Sequence, residues 1–154
     1  MNLSQRGLDF IKQFEGLIPT AYLCPAGVPT VGYGTTRIDG QPVKLGMTIT
    51  QEQAEQYLAD ECIVAEHAVS RLMAKAKLTL TQNNFNALVS FIYNVGLGGF
   101  ESSTLYRMLV NRQPILADYF LRWNKITDPK TGKLVASAGL TNRRKAEYQL
   151  YITP

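Results

Sequence analysis

Residues 20–42 read TAYLCPAGVPTVGYGTTRIDGQP, a stretch crowded with glycine, proline and threonine. Within it Val31 and Tyr33 alternate with smaller residues. This pattern predicts short strands joined by tight turns. So small a β segment does not fold alone, and the flanking sequence must supply what it packs against. Those flanks read as helix. Upstream, Ser4 can cap a helix in which Leu8, Ile11 and Phe14 recur at helical spacing. Gly16 and Pro19 then break the pattern. Downstream, Thr50 and Gln53 form a capping box. Tyr57, Leu58, Cys62, Ala65, Val69 and Leu72 trace one apolar face after it. A length of roughly 24 residues suits a helix that bridges two lobes.

Further along, Thr81 caps a helix with Phe85, Leu88, Val89 and Ile92 facing inward, and Gly96 stops it. Ser103 begins a short helix to about Asn111, and Pro114 sits in the first turn of another that runs to about Trp123. Residues 127–138 read as a polar loop, and a last helix runs from about Thr141 to Tyr151. The fold class expected is α+β. It is mostly helical, with a small β-hairpin lobe over about 16–48 and a long connecting helix. The helical lobe, about 76–154, is expected to pack with the N-terminal helix in one domain, 1–154, with a cleft between the lobes.

Composition narrows the function. The chain has 154 residues, 45% hydrophobic and 18% charged, which is globular. The longest apolar run, Ala87 to Val95, is too short to span a bilayer, so no stable membrane insertion is expected. MNLSQRGLDF shows no basic stretch followed by an apolar one, so no signal peptide or signal-anchor is expected. The single histidine, His67, excludes a zinc hydrolase with several His ligands. Cys24 and Cys62 form no CxxC, so neither a disulfide framework nor a metal cage is expected. Cys62 and His67 lie roughly 140° apart around one helix, which argues against a cysteine peptidase. A net charge of +4 fits a soluble surface or an anionic partner. No Lys/Arg block of five or more supports nucleic acid. No cofactor is expected.

Three residues attract a chemical reading. Glu15 ends the first helix among Phe14, Gly16, Leu17 and Ile18. A carboxyl among apolar neighbours favours the protonated form that a general acid needs, and a solvated helix-end glutamate is the other reading. Cys24 sits in the turn-rich segment beside Pro25, and an accessible thiolate there can act as nucleophile or base, or the residue is a small buried hydrophobe. Thr30 can position a water, or simply occupies a strand.

Taken together, Glu15, Cys24 and Thr30 make the spacing E-x8-C-x5-T. With QFEGL and AYLCPAGVPTVGYGTT around it, this resembles glycoside hydrolase family 24, the phage-type lysozymes. The resemblance continues through FNALVSFIYNVGLGGFESSTL (85–105), RWN (122–124) and GLTNRRKAEYQLY (139–151), nearly the whole chain. It implies a two-lobed lysozyme fold. It implies an endolysin that cleaves the bond from N-acetylmuramic acid to N-acetylglucosamine in peptidoglycan and lyses the host of a bacteriophage. Carried over, Glu15 is the general acid, Cys24 the second catalytic group and Thr30 the holder of water or of the reacting sugar face. Arg143 matches the arginine that orients the acid, with Arg144 its neighbour and competitor. Arg144→Ala is expected to be milder than Arg143→Ala in activity and stability.

Asn94 falls where the family places a polar contact to the sugar, or caps its own helix. Gly32 and Gly34 let the backbone approach substrate, or satisfy turns. The chain departs from many relatives in reading Gly32-Tyr33-Gly34-Thr35-Thr36 where they read GYGHT, and in carrying cysteine where they carry aspartate. Glycan strands are the expected partner, the state a monomer, and the location the host cytoplasm before release by a holin-type pore. A lytic transglycosylase and a silent wall-binding module on the same fold are the alternatives. Retention of Glu15, Thr30 and Arg143 opposes the silent module, and Thr30 with a functional group at 24 favours hydrolysis.

Overall fold

The structure, a computed structural model, describes residues 1–154. Ser4 caps the first helix, α1 (Gln5–Glu15), by accepting the Gly7 amide at 3.2 Å. Two strands follow, β1 (Ile18–Leu23) and β2 (Pro29–Gly32), paired antiparallel with Tyr22 opposite Thr30 and Leu23 opposite Pro29. The register slips between Ile18 and Tyr22. The next hairpin joins β3 (Arg37–Ile38) to β4 (Gln41–Pro42). Its turn is Asp39-Gly40, both at positive φ (50° and 75°), the handedness a tight two-residue hairpin demands. Thr50 and Gln53 form the expected reciprocal cap at 2.9 and 3.1 Å, and α2 (Gln51–Ala76) runs for 26 residues from it.

The chain divides into two compact units, one of Leu8–Ile63 and one of Met1–Gly7 with Val64–Pro154. In the first, Ile11, Ala21, Val31, Tyr33, Val43, Ile49, Ala54 and Leu58 are buried. Gly32 is irreplaceable there. Its φ is +68°, and a Cβ would stand 3.1 Å from both Ala54 Cβ and Ile49 Cδ1. Lys12 ties α1 to α2 through Glu55 at 2.6 Å. That hydrogen bond raises the lysine pKa and lowers the carboxyl's.

The second unit is built on α3 (Gln82–Val95), which Thr81 and Asn84 cap reciprocally and Gly96 terminates at φ 88°. It carries α4 (Leu97–Ser102), α5 (Thr104–Val110), α6 (Ala117–Leu121), β5 (Lys125–Thr127), β6 (Leu134–Ala136) and α7 (Ala138–Ile152). α3 packs on α7. Phe91 is the centre of its aromatic core, edge-on to Phe120 at 5.4 Å, Trp123 at 6.2 Å and Phe100 at 6.3 Å.

The architecture is α+β, mostly helical with three small antiparallel hairpins. No helix is long and apolar enough to cross a membrane. Four local expectations change. Pro114 precedes α6 instead of lying in its first turn, because α6 starts only at Ala117. The polar loop over 127–138 is largely the β5–β6 hairpin, with Ile126 opposite Val135. The short α4 was not anticipated. α7 starts three residues before Thr141, because the Ser137 hydroxyl caps it through the Leu140 amide.

Candidate active site

Glu15 is the last residue of α1 and is half-buried. Gly16 turns the chain away at φ +68°, its amide bonded to Lys12 O at 3.2 Å. This is the left-handed stop that a glycine supplies after a helix. It leaves the glutamate on the final turn of a rigid element, in the same unit as Cys24 and Thr30.

Cys24 sits where β1 ends, at the tip of the β1–β2 hairpin, and is partly exposed. The tip is closed by two backbone bonds, Cys24 N to Val28 O at 3.0 Å and Gly27 N to Cys24 O at 2.8 Å. The Val28 N–H lowers the thiol pKa most, the Ala26 N–H and the Thr30 hydroxyl lower it further, and partial burial works against them. Hydrogen bonds to the charged form favour it, so the thiol ionises more readily than an ordinary cysteine. Thr30, 4% exposed, gives its hydroxyl proton to Val28 O at 2.9 Å and lies within reach of the sulfur. One hydroxyl has one proton and two lone pairs, so Thr30 can donate to the thiolate or accept from a water, as the reaction requires.

Gly34 is exposed at φ +109°. Around it Val31 and Thr35 exchange both backbone bonds at 2.9 Å, which closes a turn that needs glycine. Thr35 is 1% exposed.

The remaining expected residues lie in the other unit. Arg143 is 3% exposed and is no solvated helix charge. Its Nε meets Glu147 Oε1 at 3.1 Å, and its Nη2 lies 3.4 Å from Ser90 O. Arg144 is fully buried. Its Nε stands 2.9 Å from Glu147 Oε2, its Nη2 donates to Asn94 Oδ1 at 2.7 Å, and its guanidinium lies 5.0 Å above the Phe91 ring. Asn94 is exposed on the last turn of α3. It borders a cavity of about 610 Å³ together with Val95, Arg122, Trp123, Lys125 and Leu134.

Glu147 was not anticipated. It is fully buried, and burial raises its pKa while Arg144, Arg143 and Ser90 resist. An Arg and a Glu four apart on a helix read as a surface pair. The available signal was that Leu140, Arg144, Glu147 and Leu150 follow one another at helical spacing, which places two charges on an apolar stripe.

The burial of Arg144 against Glu147 and Phe91 argues that Arg144→Ala is a costly change in stability and not a mild one. Removing this side chain takes one of two cations from a buried carboxylate and opens a void against Phe91. The expected loss is about 3–5 kcal/mol. Urea titration of Arg144→Ala beside an exposed control, Lys145→Ala, measures it. A difference under about 1 kcal/mol would show that water reaches the pair.

The Phage lysozyme family model matches residues 12–147. The chain is 38% identical over 152 residues to an endolysin of Acyrthosiphon pisum secondary endosymbiont phage 1, covering 98% of each. It is 35% identical over 156 residues to an endolysin of Salmonella phage P22, covering 99% of each. Among solved structures, an endolysin from Escherichia coli O157:H7 phage FAHEc1 superposes with a TM-score of 0.90 at 47% identity, covering 99% of this chain and 94% of that one.

Proposed function

The chain belongs to the phage lysozyme family, and from that premise we propose how its residues divide the work of a muramidase. It is a glycoside hydrolase of the endolysin type. Its substrate is peptidoglycan, and the bond it hydrolyses is the β-1,4 link from N-acetylmuramic acid to N-acetylglucosamine. Glu15 protonates the glycosidic oxygen, and the C1–O bond breaks with the electron pair going to the departing N-acetylglucosamine 4-oxygen. Positive charge develops on the muramic C1 and ring oxygen. Thr30 and Cys24 hold a water on the opposite face. As the water oxygen bonds to C1, its proton passes to the Cys24 thiolate. The product has inverted configuration at C1.

One observation carries this reading: the β1–β2 hairpin presents a partly exposed Cys24 at its tip and a buried Thr30 just after it, in the same unit as Glu15. A lytic transglycosylase needs no group to activate water, and a silent wall-binding module needs neither the thiolate nor the threonine beside it. Arg143 orients Glu15 in this scheme, and Asn94 and Gly34 contact the sugar. The two units act as one lysozyme domain, and the protein works as a monomer. It waits in the host cytoplasm until a holin-type pore releases it to the wall.

Mass spectrometry of digested purified peptidoglycan tests the reaction. New reducing muramic acid ends are expected. Anhydro-muramic ends would mean transglycosylation, and free peptides would mean that neither reading holds.

A further inference from the structure

We infer that Glu147 is a positioning residue: its buried carboxylate fixes Arg143 and, through Arg144, Asn94 for the reaction proposed above, on which this rests. Arg143 and Arg144 are consecutive on α7, so their side chains leave the helix about 100° apart. Neither can hold the other. A residue four after the first and three after the second faces both, and Glu147 is that residue. Its Oε1 meets Arg143 Nε at 3.1 Å, Ser90 Oγ at 2.8 Å and Arg144 Nη2 at 3.3 Å, and its Oε2 stands 2.9 Å from Arg144 Nε. Ser90 lies on α3, so the carboxylate locks the two helices as well as the two guanidinium groups.

The lock reaches the surface at Asn94, one turn after Ser90 on α3. Arginine is only a donor, so Arg144 Nη2 must meet the amide oxygen of Asn94. That fixes the flip of the side chain. Asn94 is exposed and borders the cavity, so it is left to offer its NH₂ group there. A fixed donor of this kind suits a carbonyl acceptor such as a sugar N-acetyl group. Stability alone does not explain the cluster, because well-packed apolar residues commonly serve as well or better than a buried ionic triad.

The experiment uses the full chain and soluble peptidoglycan fragments. Glu147→Asp keeps the charge and withdraws the carboxylate by one methylene. The expected result is a lower melting temperature together with a fall in kcat per folded molecule approaching ~10²-fold, the scale of a misplacement of about 1 Å. The double variant Glu147→Gln with Arg144→Met removes one charge of each sign and is expected to lose kcat similarly and to raise KM as Asn94 is released. A purely structural role would move the melting temperature and leave kcat per folded molecule unchanged in both, and that outcome overturns the inference. The wild-type protein gives a third readout. The Arg143 Nε–H resonance, assigned with Arg143→Lys, is expected to exchange slowly with water, and a freely exchanging signal also overturns the inference. Should the wild type release no reducing muramic ends, the functional reading fails by itself, whereas its failure leaves the arginine signal free to report on the lock.

Discussion

Glu15→Gln is expected to slow peptidoglycan cleavage by ~10²–10⁴-fold, the usual worth of a general acid, with an unchanged melting temperature. The amide keeps the size and hydrogen-bonding reach of the carboxyl but has no proton to give to the leaving oxygen. The position favours a clean result. Glu15 is half-buried on the last turn of α1, and Gly16 ends the helix whatever side chain precedes it. Release of reducing ends measures the rate, and calorimetry on the same preparation measures the fold. A variant that keeps more than about a tenth of the rate would place the acid elsewhere.

Cys24 should give the second large effect, and its pH dependence has a definite sign. Activity that needs thiolate rises as pH increases through the thiol pKa. The Val28 and Ala26 amides and the Thr30 hydroxyl lower that pKa, so the rising limb should lie below that of an ordinary cysteine. Cys24→Asp should stay active and extend the limb to still lower pH, because a carboxylate is ionised there. Cys24→Ala should lose activity on the ~10²–10⁴-fold scale of a missing base. A thiol-alkylating reagent should inactivate the native protein and spare the Asp variant. Peptide mapping must place the adduct on Cys24, since Cys62 is fully buried. Lysis that survives alkylation of Cys24 would make the residue structural. NMR of the first-formed product reads the anomer, and retention would replace the held water by a thioglycosyl intermediate.

Much of this was legible because the relevant residues speak locally. Ser4, Thr50 and Thr81 cap through side chains within three residues, and Gly96 stops α3 by its own backbone freedom. Glu15, Cys24 and Thr30 sit close enough in sequence for their spacing to be read. What escaped was long-range or lacked contrast. The β5–β6 hairpin is exposed along both strands, so it has no alternation of apolar and polar positions to reveal it. The worth of Arg144 depends on Asn94, fifty positions away, and that of Glu147 on Ser90, fifty-seven away. Charges on a helix read as solvated until a second helix is known to cover them. Here α3 does so.

The tip of the β1–β2 hairpin also constrains how relatives of this protein can diverge. Ala26 and Val28 are exposed, and what they contribute to the sulfur is their backbone amides, which are indifferent to their side chains. Substitution there should therefore drift almost freely, apart from Gly27 at φ +75°. Length is another matter. Adding or deleting one residue between Cys24 and Val28 would break the closure of the turn from Cys24 N to Val28 O and displace the thiol at its tip. The number of residues in a surface turn is thus held fixed where the identities of its residues are not.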